Sequence, residues 1–180
     1  TVETAPGQEP LEIALAPGPL KAALIKDFPE IEEIARAYVA EGSVLRGAQP
    51  MDEDILLADP NFFALVGLPF VAGNAEQALG GTGSVALSAA AAMRYFGRGD
   101  VVGERLTLLV PQPRDFVVSA VYETIPDNSH MAFDVVIPFD GYFGSAAEEV
   151  KAIPDNWGGA YFHTYLRLRP WTDAAALVRR

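Results

Sequence analysis

The placement of proline and glycine constrains this chain more than any other feature. Sixteen glycines and fourteen prolines are spread over 180 residues, and they break the apolar pattern before it can lengthen. The two richest apolar runs show the effect. Pro69 interrupts 62–72, and 85–93 is short and mostly alanine. A bilayer span needs about 20 apolar residues, so neither run reaches. What remains is a set of short strands and short helices joined by turns. Half of the residues are hydrophobic and 21% are charged, enough apolar surface for these elements to bury a core.

Periodicity assigns the elements. Residues 3–16 alternate loosely and read as one or two strands. Pro19 suits a first helical turn, Leu20, Ala23, Leu24 and Phe28 follow at helical spacing, and Pro29 closes the helix. Residues 34–39 read as a strand, with Gly42 and Gly47 marking turns. Residues 54–58 read as another, and Asp59 stands where an N-cap belongs, ahead of Phe62, Phe63 and Leu65. The stretch Gly80-Gly81-Thr82-Gly83 is hinge-like and marks a subdomain boundary. After a strand at 84–87, Ser88 caps a helix over 89–96. Its expected buried stripe is Ala89, Ala92, Met93 and Phe96, and Gly97 ends it. Segments 105–110 and 115–122 flank Pro111 and Pro113 as a hairpin with a stiff loop. Residues 132–138 read as a strand and 144–154 as a loop or short helix. The alternation over 161–169 is clean, with Tyr161, His163, Tyr165 and Arg167 on one face and Phe162, Thr164, Leu166 and Leu168 on the other. Thr172 is then expected to cap a final helix over 173–180.

Charge and motifs remove most chemistries. Thirteen basic against 24 acidic side chains give a formal charge of -11, which repels phosphate backbones and anionic lipid headgroups. No nucleic-acid partner is expected. The absence of cysteine rules out disulfides, thiolate catalysis and Cys-based zinc sites. The run from Gly81 to Ala86 matches the spacing of a dinucleotide-binding glycine motif but leads into a strand, whereas that motif opens a helix. No phosphate-binding Gly-Lys-Ser/Thr and no nucleophile motif is present. His130 and His163 lack the i, i+4 partner of a zinc helix, and a pairing of His130 with Asp134 as acid and base lacks a nucleophile beside it. The acidic clusters Asp27/Glu30/Glu32/Glu33, Asp52/Glu53/Asp54 and Glu148/Glu149 lack the spacing of a calcium loop and read as solvated faces. Trp157 and Trp171 lie in Gly- or Pro-containing loops outside the periodic stripes. They are either lids over the core or contact surfaces for another protein.

Several longer blocks carry a resemblance. They are Asp27-Phe-Pro-Glu-Ile-Glu; Ala58-Asp-Pro-Asn-Phe-Phe-Ala-Leu-Val-Gly-Leu-Pro-Phe-Val-Ala-Gly; Ser84-Val-Ala-Leu-Ser with Met93-Arg-Tyr-Phe-Gly and Asp100-Val-Val-Gly; Asp115-Phe-Val-Val-Ser-Ala-Val through Ile125-Pro-Asp-Asn-Ser-His; and the strand at 161–168 with its following helix. In order and spacing these blocks resemble the MacB-like periplasmic core domain of FtsX-like ABC transporter permeases.

That resemblance implies an α+β fold in two parts. A strand-helix, porter-like subdomain would comprise 1–80 and 158–180, and a β-rich, sabre-like subdomain, 81–157, would be inserted in it. Gly80, Gly81, Gly83, Gly158 and Gly159 would then be hinges at the two crossings, with Trp157 and Trp171 as contact residues. The resemblance further implies a non-catalytic domain with no cofactor, held on the periplasmic side of the inner membrane by its own transmembrane helices. Its implied partners are a second permease subunit, a cytoplasmic ATPase, and an extracytoplasmic adaptor or substrate. Thr1 at the start, and Arg179 and Arg180 inside an expected helix, read as cut ends of a longer chain. A stand-alone extracytoplasmic ligand-binding or sensor domain is the competing reading, and it predicts a preformed apolar pocket. A hydrolase built on His130 or His163 is a third.

Overall fold

A computed structural model of the chain describes residues 14–46, 49–126, 128–129, 131, 133–143 and 152–179. Its elements run α1 (Leu20–Asp27), β1 (Ile31–Arg46), β2 (Gln49–Ala58), α2 (Phe62–Val66), β3 (Phe70–Ala72), α3 (Ala75–Ala78), β4 (Ser84–Ser88), α4 (Ala89–Phe96), β5 (Arg105–Leu109), β6 (Pro113–Tyr122), β7 (Val135–Pro138), α5 (Phe139–Phe143), β8 (His163–Leu168) and α6 (Ala174–Val178). The mixed α+β class expected from the sequence holds. Of the strands read at 3–16, only 14–16 are described, where Ala16 forms an isolated bridge to Phe162; the turn at Gly47, the acidic pair Glu148/Glu149 and His130 lie outside the described residues.

One sheet holds all eight strands in the order β2-β7-β4-β6-β5-β1-β8, with β3 on β6 and β2 also pairing β1. The last pairing closes a ring of six strands. Inside the ring, Val44, Ile55, Leu57, Val85, Leu87, Leu108, Val135 and Ile137 form one core with Ala91, Ala92 and Tyr95 of α4 and Phe139 and Phe143 of α5. Outside it, Ala35, Ala37, Leu56, Ala58, Ala86 and Val136 form a second core with Phe62 and Phe63 of α2 and Ala78 of α3. Neighbouring residues of β2 over 55–58, of β4 over 85–87 and of β7 therefore face different cores, and these stretches are apolar at every position. Each buried phenylalanine contributes about 2–3 kcal/mol. Phe62 and Phe63 are both 0% exposed, and Phe62 meets Phe133 and Tyr165 edge-on.

β6 serves both cores through a bulge. Val85 pairs with Val118 but Ala86 pairs with Ala120, so Ser119 is the extra residue. Phe116 and Val118 before it point inward, while Ala120 and Tyr122 after it belong to the outer core. The Ser119 hydroxyl lies 2.6 Å from the Ala78 carbonyl and 3.1 Å from that of Val85, so the bulge is tied to both β4 and α3.

Four sequence expectations need correction. Gly42 is no turn: β1 runs through it, opposite Glu53. A Cβ there would stand 2.7 Å from Ile55 Cδ1 and 3.1 Å from the Leu109 carbonyl oxygen, so the glycine lets neighbouring strands close in. Asp59 does not cap α2. Asn61 takes the cap position with no side-chain bond, because the Asp59 carboxylate is committed elsewhere. On α4 the buried residues are Ala91, Ala92 and Tyr95, and Met93 is exposed; the stripe is rotated because Ser88, whose hydroxyl accepts from Ala91 N, leads straight from a buried strand into the helix. At the C-terminal helix Asp173, not Thr172, accepts the bond from Ala176 N. The Gly97 ending is as expected, at φ +71°.

Asp59 joins three elements. Its carboxylate accepts from Lys21 Nζ at 2.8 Å, from Arg36 N at 2.8 Å and from Arg36 Nη2 at 3.1 Å. Arg36 also donates to the Gly18 carbonyl and covers the rings of Phe139 and Phe162. Burial pushes the Asp59 carboxyl up, yet the bonds from Arg36 and Lys21 outweigh it and hold the group below its ordinary 3.8. The folded pKa is thus lower than the unfolded one, so the cluster stabilises the fold above the ordinary value and loses that contribution as pH falls through the folded pKa. Arg36→Met is expected to cost about 3 kcal/mol, since it strands a buried carboxylate, with the deficit shrinking at acid pH. Urea melts of both proteins from neutral to acid pH check this.

The β1–β2 register also places Glu41 directly opposite Asp54. Like charges so placed repel. Glu41→Gln or Asp54→Asn is therefore expected to raise the melting temperature, by about 0.2–1 kcal/mol of stability at low salt, with the gain fading as salt is added. Thermal melts at two ionic strengths measure it.

Candidate functional site: an acidic cleft beside the ring

An open cleft of about 1180 Å³ is lined by Glu41, Gly42 and Ser43 of β1, Asp52, Glu53 and Asp54 of β2, Ala90 and Arg94 of α4, Leu109 and Pro111 at the β5–β6 turn, and residues between 124 and 134 ahead of β7. Five carboxylates and one guanidinium face it. The strands bring the carboxylates together through register: Glu41 lies opposite Asp54, and Ser43 opposite Asp52, with a Ser43 hydroxyl to Asp52 bond of 3.1 Å.

Arg94 is the organising cation. It donates to Glu53 and to Asp134 and lies over the Tyr95 ring. The Ser88 hydroxyl bonds Asp134 and the Tyr95 hydroxyl bonds Glu53. Desolvation disfavours the Arg94 charge, but the bonds and charges of Asp134 and Glu53 outweigh it and raise its pKa. Burial and the Glu53 hydrogen bond push the Tyr95 phenol up. This network pairs Arg94, Glu53 and Asp134, and it braces α4 against β2. Asp52 and Asp54 remain exposed. Among the described residues no cluster of His, Asp or Glu is arranged to hold a metal ion.

The residues singled out from sequence do not converge on this cleft. Gly80 and Gly81 are exposed in the turn before β4, where Ser84 N donates to the Gly81 carbonyl at 2.9 Å, and Gly83 accepts from Val117 N at 2.8 Å. A Cβ on Gly83 would meet nothing within 4 Å. The motif from Gly81 to Ala86 enters β4, as expected, and opens no helix. Gly158 and Gly159 follow a short 3-10 turn, Ile153–Asp155, and the Tyr161 ring packs on Gly159. Trp157 is 59% exposed and Trp171 75%, so neither is a lid over the core; Arg169 lies over the Trp171 ring. His163 stands at the start of β8 in a small groove of about 210 Å³ with Tyr38, Val39 and Tyr161. The acidic cleft is not the preformed apolar pocket that a stand-alone sensor predicts. Sequence reasoning saw the Asp52/Glu53/Asp54 run but not its convergence with Glu41 and Asp134, a product of pairing between distant segments.

Among solved structures the fold matches a domain assigned to a permease from Porphyromonas gingivalis, with a TM-score of 0.72 and 24% identity over 94% of this chain and 69% of that one. It also matches the periplasmic region of MacB from Actinobacillus actinomycetemcomitans (TM-score 0.66, 12% identity, 92% of this chain and 71% of that one). A third match is the extracellular domain of the noncanonic ABC-type transporter YknZ from Gram-positive bacteria (TM-score 0.62, 13% identity, 93% and 79%). No curated protein matches the chain in sequence. No helix among the described residues is long and apolar enough to cross a membrane. The family model for the MacB-like periplasmic core domain matches residues 3–180, and the chain belongs to that family of extracytoplasmic domains of ABC transporter permeases.

Proposed function

We propose that this domain is a non-catalytic, cofactor-free relay. It takes ATP-driven motion from a cytoplasmic ATPase through its own transmembrane helices, works beside a second permease subunit, and engages an extracytoplasmic adaptor or substrate. The observation that carries this reading is the attachment of both ends of the domain to one strand. Ala16 bridges to Phe162, Arg36 holds the Gly18 carbonyl, and β8 pairs with β1 from Ile31 to Ala37. A displacement of either end therefore loads β1 first, and β1 passes it to β2 and β5.

The two-part division, 1–80 with 158–180 against 81–157, remains our proposal within this continuous sheet. Its seams would be the short ladder of Ser43, Val44 and Leu45 with Leu109, Leu108 and Thr107, the β2–β7 ladder and the two-pair β3–β6 ladder. The ten-pair β1–β2 ladder would move as one piece. Gly80, Gly81, Gly83, Gly158 and Gly159 would absorb the change, and exposed Trp157 and Trp171 would supply contact area. A relay works only if partners prefer one arrangement over another.

A disulfide across the first seam tests this. Ser43→Cys with Leu109→Cys places two thiols on directly opposed residues of an antiparallel pair, within reach of a disulfide. In the full-length permease reconstituted with its ATPase, oxidation is expected to lower substrate-stimulated ATP hydrolysis about tenfold, and reduction to restore it. Unchanged stimulation in the oxidised protein would show that the sheet moves as one body and would remove the two-part relay.

A further inference from the structure

β2 has an unused edge. On one side it pairs with β1 along its whole length, but on the other it pairs with β7 only from Ile55 to Ala58. Over 49–54 no strand among the described residues takes the outer edge. Six residues span about 20 Å, the length of an ordinary strand.

The sequence shows which backbone groups face outward there. Pro50 has no N–H to give to its partner Leu45, so 45/50 is a pair that exchanges no hydrogen bonds. Alternation makes 43/52 and 41/54 the same, and the N–H and C=O of Asp52 and Asp54 turn away from β1. No backbone bond joins these groups to another element among the described residues. Both residues line the open cleft, so the edge is reachable from solvent.

We propose that this edge accepts an added strand from an extracytoplasmic partner protein, an extended segment with lysine or arginine at alternate positions. Backbone bonds to Asp52 and Asp54 supply the attachment, as in other cases of strand addition. The charge pattern selects the occupant. Asp52 and Asp54 project to one face, and Glu41 stands beside Asp54 on that face. An incoming strand with cations at every second residue meets this row and relieves the Glu41–Asp54 repulsion. A second copy of this chain is a poor occupant, since it would set its own Asp52 and Asp54 against this row in a molecule of net charge -11. The site deepens the partner-engaging part of the proposed function and rests on it. Its test needs no ATPase, so the relay and the docking edge can fail separately.

The competing account is that the carboxylates only guard an edge against aggregation. Amide hydrogen exchange on the chain separates the two. A short synthetic peptide alternating lysine and valine is expected to slow exchange at Asp52 and Asp54. The double variant Asp52→Asn with Asp54→Asn should weaken binding about tenfold, and circular dichroism should show it folded. The same peptide N-methylated at alternate amides keeps its charge and should lose binding. Equal protection by the methylated peptide, or by spermine, would mean attraction by charge alone and would overturn strand addition. No protection by any of them would leave the guarding role and overturn it equally.

Discussion

Two-sided burial of the sheet governs everything else in this domain. Residues 55–58 of β2, 85–87 of β4 and all of β7 have no polar face, so helices must cover both sides there: α4 and α5 on the inside, α2 and α3 on the outside. A flat sheet of this size would leave two edges and a wide apolar surface exposed. Closing β1 onto both β2 and β5 removes most of the edge. It also explains the length of β1, which uses one edge for β2 and divides the other between β8 and β5. The bulge at Ser119 follows from the same demand, because β6 must fill the inner core at one end and the outer core at the other.

Polar groups inside such a fold survive only where each has a partner. Asp59 satisfies this with two cations and a backbone N–H, and in doing so ties α1, β1 and the end of β2 together. Arg94 does the same near the cleft with Glu53 and Asp134. The two knots differ in exposure. Asp59 is 4% exposed, so its ion pairs are poorly screened and each partner is indispensable. Arg94 is more open to solvent, and salt and water share its charge. The first knot is architectural, while the second shapes a surface.

The sequence disclosed these features unevenly, for local reasons. The start of α4 at Ser88, its end at Gly97 and the β5–β6 hairpin depend on neighbours in the chain, and each was legible. So was β8, whose alternation is uninterrupted. β1 extends beyond the expected 34–39: Glu32 and Glu33 read as a solvated acidic face and Gly42 as a turn, but both stretches belong to the strand, one beside a bulge and the other where β2 and β5 crowd in. Asp59 was misread as a cap because a buried ion pair to Arg36, 23 residues away, leaves no local trace. The cleft was invisible for the same reason. Its acidic run at 52–54 was plain, but Glu41 and Asp134 join it only through strand pairing.

The distribution of charge then bears on what the domain can meet. The 24 acidic residues outnumber the 13 basic ones, and the described Arg36, Arg94, Arg98 and Arg167 are already paired. The excess is therefore a surface property and not one of the core. It lowers the tendency of two copies to stick by sheet edges and raises the encounter rate with cationic surfaces. An edge strand that is acidic, open and adjacent to a cleft satisfies both demands at once: it discourages its own kind and leaves backbone groups available to a partner of opposite charge. The repulsion between Glu41 and Asp54 is the stability such an arrangement forgoes, and it is small because both groups lie near water.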